Sequence, residues 1–354
     1  MLEGHVLAVR YLLVAEGSLG EWEPFAIGLR LSAVAARELL EGDHLMRFKA
    51  WLAETNTYVF TINGFPYGSF HGTRVKEQVF KPDWTTRERV DYTKDLFRIL
   101  AAIAQPGTGA SVSTLPGSHK TFSADESIIR THLVEMAEFL EELSAESGLD
   151  FHLGLEPEPL GHFENTEETL AFFSRLPVTE AIRRRIGVNY DACHFALEYD
   201  EALSALDALT AAGIRISKIH LSSALAMDPR DPVALAAIRA FDEPVYFHQV
   251  LLRQDDGGIR RFLDLPDFLA NEGNAAGCTE MRVHFHIPLD AEPAAPLRST
   301  RDQTAAVLEW RRQHPLACPH YEIETYTWSV LPADLLRPVE AQIAGEYRWV
   351  LAEA

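Results

Sequence analysis

The residues of this chain best suited to chemistry stand at the ends of short apolar runs. Phe151-His-Leu-Gly-Leu-Glu-Pro-Glu-Pro159 closes on Glu156 and Glu158, and Gly187-Val-Asn-Tyr-Asp-Ala-Cys-His-Phe-Ala196 ends in Asp191 with His194 three residues on. Ile216-Ser-Lys-Ile-His-Leu-Ser-Ser223 carries His220, and Tyr321-Glu-Ile-Glu-Thr-Tyr-Thr-Trp328 carries Glu324. A β/α unit exposes side chains where the strand stops and the loop begins, so these four runs would deliver Glu, Asp, His and Glu to one mouth. Three carboxylates and one imidazole make a mostly hard oxygen set. It suits Mn²⁺ or Mg²⁺ better than the sulfur-rich sets of structural zinc, with Zn²⁺ or Co²⁺ as further candidates. Without a cation, converging carboxylates would raise one another's pKa. Any one of the four is as readily an ordinary polar group at a strand end; the ordered set is what points to one divalent ion.

Other candidates surround this quartet. Glu158, two residues past Glu156, reads as a substrate contact or, more simply, as a rim carboxylate. His194 could donate to a substrate hydroxyl as a neutral imidazole, or fill a core position. His284 and His286 alternate across Phe285 and so face one side, as substrate or second-ion contacts or as plain polar lining. His248 is a weaker candidate of the same kind. Asn63, Tyr67 and His71 sit in the aromatic, glycine-rich stretch Asn63-Gly-Phe-Pro-Tyr-Gly-Ser-Phe-His71, a natural site wall. Trp328 is as readily core as pocket wall. Lys218 points inward or outward according to register.

Alternating strands and helices would position these groups. Val6 to Val14 is a short apolar run that fits either strand or helix. Phe25 to Leu31 reads as a strand, Ser32 as the N-cap of a helix to Leu40, and Asp43 as the cap of the next. Strand Tyr58–Ile62, helix Arg87–Ala104 and strand Ala110–Leu115 follow. Ser123-Ala-Asp-Glu126 has the form of a capping box opening a helix that Gly148 ends. Asn165 caps a helix ahead of the Asp191 strand, and residues 200–212 form another ahead of the His220 strand. More than a hundred residues separate His220 from Glu324, too many for one crossover, so an insertion occupies about 222–318. Within it, Pro244–Leu252 and Met281–Pro288 read as strands. A helix from Asp302 to Gln313 and a closing helix within Pro332–Ala354 complete the pattern, a regular alternation that fits one α/β barrel with insertions.

With 354 residues, 47 % of them apolar, the chain can bury a large core, and no low-complexity linker divides it. We expect a single domain over 1–354, with residues 1–24 atypical. A formal charge of −20 would repel a phosphate backbone, which disfavours a nucleic-acid partner. Cys193, Cys278 and Cys318 are an odd number without a C-x-x-C pair, which fits a reducing cytoplasm. No run reaches the ~20 apolar residues of a membrane span, so membrane insertion is not expected.

The order of the quartet, with its Asp-x-x-His and Glu-Pro details, resembles the xylose-isomerase-like TIM barrels, the sugar isomerase and epimerase group. Thr61-Ile-Asn-Gly-Phe-Pro-Tyr-Gly68, Leu153-Gly-Leu-Glu-Pro-Glu-Pro159, Tyr190-Asp-Ala-Cys-His194, Val283-His-Phe-His-Ile-Pro288 and Glu324-Thr-Tyr-Thr-Trp328 narrow the resemblance to the EboE-type metabolite-traffic family of the bacterial Ebo cluster. The resemblance implies a (β/α)₈ barrel with an insertion before its last strand, and one divalent ion on Glu156, Asp191, His220 and Glu324. Glu156 and Glu324 would be the catalytic pair that moves a proton on a hydroxy-carbonyl or sugar-like metabolite, with His194, Asn63, His71, Glu158, His284 and His286 as substrate contacts. Its partners would be that metabolite and proteins of the same biosynthetic or export pathway. A second reading is a non-catalytic binding or trafficking protein on the same barrel. A nuclease of the endonuclease IV type is disfavoured by the net charge and by the lack of a richer histidine set.

Overall fold

The structure is a computed structural model describing residues 2–68 and 76–354. Its centre is a curled, all-parallel sheet of TIM-barrel type. In chain order its strands are β1 (Leu29–Arg30), β2 (Thr61–Asn63), β3 (Ala110–Thr114), β4 (Phe151–Leu155), β5 (Ile186–Asp191) and β6 (Arg215–Leu221). An inserted group comes next, comprising β7 (Leu225–Met227), β8 (Val250–Gln254), β9 (Ile259–Phe262), β10 (Cys278–Val283) and β11 (Arg298–Ser299); β12 (Tyr321–Ile323) then returns to the barrel. The seven parallel strands lie side by side in the order β12-β6-β5-β4-β3-β2-β1. The curl brings the two ends together through side chains: Arg30 lies 3.7 Å from Glu324, and Gly28 abuts the Glu322 carboxylate.

Both faces of such a sheet are covered, which is why its strands read as buried runs. Helices Arg87–Ile103 and Glu126–Ser147 pack Val90, Leu96, Leu100, Leu133 and Leu140 against the outside. Inside, the barrel is polar. Thr61, Ser111, Ser113, His152, Asn189, Ser217, Lys218 and His320 are all buried there, linked by bonds such as Ser111 Oγ donating to Thr61 Oγ1 at 2.8 Å. A polar interior can hold charged groups that an aliphatic barrel could not.

The ambiguous N-terminal run is a helix, Leu2–Ala15, laid along the closing helix Val339–Glu353, so the parallel sheet has seven strands. Phe25–Ala26 and Thr57–Tyr58 form a short parallel pair that continues as β1 and β2 after a break, so the two expected strands are each interrupted. Ser32 caps its helix as expected, accepting from the Ala35 N–H at 3.2 Å, whereas Asp43 makes no side-chain cap bond. The capping box does not form, because Ser123 takes a left-handed φ of 52° and Asp125 caps the helix instead, accepting from the Ser127 N–H.

The inserted strands form an antiparallel sheet in the order β9-β8-β10-β7-β11, with apolar contacts of its own around Met227, Leu252, Phe268, Met281 and Phe285. The expected strands 244–252 and 281–288 are shifted: pairing begins at Val250 and ends at Val283. Tyr199 ties this sheet to the barrel by donating its hydroxyl to the carbonyls of Leu251, at 3.1 Å, and Glu280, at 3.0 Å. Residues 284–288, free of the ladder, turn toward the barrel mouth, where the Ile287 N–H donates to the Ser223 carbonyl.

Candidate metal centre

Register assembles the site. Asp191 on β5 lies beside His220 on β6, and His220 beside Glu322 on β12, so the three form one row across adjacent parallel strands and share an inward face. A register shift between Val188 and Asn189 sets this alignment, as bulges near sites often do. Glu156 follows directly on β4. His220 Nδ1 lies 3.1 Å from Glu156 Oε1 and 3.3 Å from Asp191 Oδ2. These three residues, all buried, offer ligand atoms within 4.8 Å of one another.

Asp191 Oδ1 is held by three donors: the Cys193 N–H at 2.8 Å, the His194 N–H at 3.1 Å and the Ser222 hydroxyl at 2.6 Å. Its other oxygen, Oδ2, and Glu156 Oε2 are buried acceptors with no hydrogen-bond donor. Such orphaned oxygens are costly in a protein interior, and a cation would satisfy both. The residues present therefore fit a divalent ion with hard oxygen ligands. Burial alone would push the Glu156 and Asp191 carboxyls up, but His220 for the first and His194 with His220 for the second hold both below the usual carboxylate range. Burial opposes protonation of His220 as well, yet Glu156 and Asp191 raise its pKa well above the ordinary value. In the metal-free chain, protons on imidazoles thus take the balancing role that an ion would fill.

A second group lies against the first. His194 Nε2 is 3.3 Å from Glu158 Oε2 and 3.9 Å from Asp191 Oδ1, and its Nδ1 donates to the Pro157 carbonyl at 2.9 Å. His284 and His286 meet Nε2 to Nε2 at 3.3 Å; His284 Nδ1 is set by Gln249 Oε1 at 2.7 Å, and His286 Nδ1 donates to the Glu324 carbonyl at 2.6 Å. Asp191, His194 and His286 also offer clustered ligand atoms, so Asp191 borders both sets. Burial opposes a charged His194, but Asp191 and Glu158 raise its pKa to about 9; burial pushes Glu158 up to about 8 and His286 down to about 4. Glu158 is thus an inward carboxyl facing His194, which corrects the simpler reading of it as a rim group.

The cavity above these groups, about 70 Å³ in volume, is lined by Arg30, Asn63, Glu156, Glu158, His194, His284, His286 and Glu324, with Phe65, Phe80, Tyr246, Phe247 and Tyr326 as walls. Glu324 differs from the other three members of the predicted quartet. Its carboxylate lies one layer above the Asp191–His220 row, beside Arg30, and burial raises its pKa against the pull of His220 and Arg30. The carboxylate in register with His220 is Glu322, which the sequence reading missed although it shares the strand face of Glu324. It lies 3.4 Å from His220 Nε2 and pairs with the fully buried Lys218, whose direction the sequence left open.

Asn63 is at the cavity, where its Oδ1 accepts from the Phe65 N–H at 3.1 Å. Tyr67 is turned away, edge-on to Tyr92, and His71 lies outside the described residues. His248 is buried structurally, bonded to Glu243 at 2.7 Å and to the His284 carbonyl at 3.0 Å. Trp328 donates its indole N–H to Glu346 at 3.0 Å and anchors the closing helix.

No family model matches the chain, and no curated protein does. Among solved structures it is similar to a xylose isomerase domain-containing protein of Salmonella typhimurium LT2, at 13 % identity and TM-score 0.42 over 98 % of this chain and 92 % of that one. It also overlaps the IolI protein with a bound zinc atom, at 12 % identity and TM-score 0.38 over 58 % of this chain and 64 % of that one. A third overlap is with a probable 3-DHS dehydratase, AsbF, of Bacillus anthracis, at 13 % identity and TM-score 0.36 over 55 % of this chain and 62 % of that one. The chain thus spans under two thirds of the IolI and AsbF chains. At these scores and identities the fold stands on the strand order, and the chemistry on the side chains described above.

Proposed function

We propose that this chain is a divalent-metal-dependent enzyme of the isomerase or epimerase type, acting on a small hydroxy-carbonyl or sugar-like metabolite. The observation that carries this reading is the pair of buried, donorless oxygens, Glu156 Oε2 and Asp191 Oδ2, beside His220, with Glu156 itself lining the cavity. An ion on Glu156, Asp191 and His220 would supply Lewis-acid polarisation of substrate oxygens. Mn²⁺ or Mg²⁺ suits the carboxylates best, and Zn²⁺ or Co²⁺ remains compatible with the imidazole.

The remaining steps belong to the chain's own side chains. Glu324, its pKa raised by burial, is poised to take up or release a proton at the cavity, and Glu156 is the partner carboxylate. Glu158 and His194 face a substrate's polar end, His284 and His286 line the same space, and the aromatic walls exclude water. Arg30 beside Glu324 favours the ionised carboxylate against burial. The Ebo-type metabolite-traffic setting remains part of the proposal, on the five sequence motifs. We further propose that residues 1–354 act as one domain, with the inserted sheet forming a wall of the site. The Tyr199 bonds and the seat of His284 and His286 support that view.

A second reading is a non-catalytic metabolite-binding protein on the same barrel. It is favoured by one feature: Glu324 is directed to Arg30 and is not part of the Glu156–Asp191–His220 cluster. The two readings separate on deuterium exchange. The chain is incubated with Mn²⁺ and a panel of hydroxy-aldehydes, hydroxy-ketones and cyclic polyols carrying a ketone, in D₂O. Deuterium at the carbon next to the carbonyl, lost in Glu324→Gln, supports the enzyme. Saturable binding without exchange supports the carrier.

A further inference from the structure

The barrel interior holds a buried ion pair outside the predicted quartet. Lys218 and Glu322 sit on adjacent strands β6 and β12, with Lys218 fully buried, and the lysine ammonium is ion-paired with the Glu322 carboxylate and donates, at 3.3 Å, to Ser113 Oγ. Glu322 is the direct lateral neighbour of His220, and its Oε2 stands 3.4 Å from His220 Nε2. The other ring nitrogen, Nδ1, faces Glu156 and Asp191 at 3.1 and 3.3 Å, and the Asn189 amide Nδ2 lies 3.2 Å from Nδ1 and 3.5 Å from Nε2. An ion held by Glu156, Asp191 and His220 Nδ1 would leave the ring proton on Nε2, facing Glu322.

The place for this carboxylate is cut from the opposite end of the sheet. A Cβ at Gly28 would collide with Glu322 Oε1 and Cδ, so only glycine there leaves room for the side chain as it stands. Two separate features, the lysine and the glycine notch, therefore fix one carboxylate against one imidazole nitrogen. Metal-ligating histidines commonly donate their second N–H to a carboxylate, which sets the tautomer and ring direction.

We propose that Glu322, clamped by Lys218 and seated in the notch at Gly28, is the positioning residue that holds the Nε2 proton of His220 and so keeps Nδ1 turned toward an ion on Glu156 and Asp191. This rests on the reading of Glu156, Asp191 and His220 as a metal set. Lys218 balances the Glu322 charge, so that the buried carboxylate need not take a proton of its own.

The test uses the full chain and three variants. Lys218→Met with Glu322→Leu replaces the ion pair by apolar groups of similar size, an exchange that buried pairs often tolerate or gain from in stability. Gly28→Ala displaces the carboxylate while leaving its chemistry intact, and Glu322→Gln keeps its shape without its charge. Mn²⁺ affinity is measured by chelator competition. The His220 Nε2 proton is followed by NMR in ¹⁵N-histidine-labelled, EDTA-treated protein, as a downfield signal absent from the double variant. The expected result is a roughly 10–100-fold loss of Mn²⁺ affinity in the double variant and in Gly28→Ala, with melting retained and the downfield signal lost. Glu322→Gln, which keeps an acceptor oxygen, should recover part of the affinity. The proposal is overturned if either folded variant binds Mn²⁺ within about threefold of wild type, or if the downfield signal persists in the double variant. Wild-type protein that shows the signal but binds neither Mn²⁺ nor Zn²⁺ would remove the metal reading and leave the Glu322–His220 contact standing.

Discussion

Replacing Asp191 by Asn probes the metal reading most directly, because the structure separates what the carboxylate does for the fold from what it does for the cluster. Oδ1 accepts from the Cys193 and His194 N–H groups and the Ser222 hydroxyl, and an amide oxygen can keep all three bonds. Oδ2 has no donor and faces His220 Nδ1 at 3.3 Å; there the variant places an NH₂ group and removes the charge. The helix that begins at Ala192 should therefore stay capped while the ligand is lost. An ion at one hundred times its Kd stabilises the native state by about 2.7 kcal/mol through mass action. For a chain of this size one kcal/mol moves the melting temperature by roughly 2 °C, so saturating Mn²⁺ should raise wild-type melting by about 5 °C. EDTA should reverse the rise, and Asp191→Asn should show almost none of it while remaining folded by circular dichroism. Equal shifts in the two proteins, for Mn²⁺, Mg²⁺, Co²⁺ and Zn²⁺ alike, together with no stoichiometric metal in the purified wild type, would refute the site.

Three further outcomes follow from individual side chains. Glu324→Gln should abolish exchange of a substrate carbon-bound proton, because an amide cannot act as a base, with ligand binding by calorimetry weakened far less; unchanged exchange would remove Glu324 from the chemistry. Glu346, fully buried under the closing helix, has its pKa raised from 4.5 to about 7 by burial, against bonds from Thr325, Leu289 and Trp328. A raised folded-state pKa favours stability that is fully present below the unfolded value and is lost as pH climbs through about 7, a span of roughly 3 kcal/mol. Urea midpoints at pH 5 and pH 8 should thus fall for wild type relative to Glu346→Gln, and parallel curves would contradict the assignment. Phe285 is buried edge-on to Phe241 and stacked on His248, between the two site histidines. Phe285→Ala should cost about 3–5 kcal/mol in denaturant unfolding and loosen His284 and His286; a loss under about 1 kcal/mol would show that the inserted sheet packs otherwise.

Several levels of this protein are written locally in its sequence. The apolar runs that end in Glu156, Asp191 and His220 announce buried parallel strands with polar ends, since a strand covered on both faces needs continuous apolar residues and only its mouth can carry charge. The Ala- and Leu-rich helices, the Asn165 and Ser32 caps and the Gly148 stop are equally local, because propensity and capping act within a few residues. The long gap before Glu324 marked the insertion by length alone.

What the tertiary structure decided depends on register and on neighbours distant in sequence. Val6 to Val14 fits a strand or a helix equally well until Val339–Glu353 gives its apolar face a partner. Glu322 and Glu324 share one strand face and cannot be ranked from sequence; pairing of β12 with β6 sets Glu322 beside His220, and the curl of the sheet sets Glu324 beside Arg30. Lys218 and Gly28 carry no visible signal for the same reason, since one pairs with a residue about a hundred positions away and the other yields space to it. The sequence determines which side chains reach a strand end, because strand periodicity is local; which of them meet is set by register and closure, which exist only once the sheet has formed.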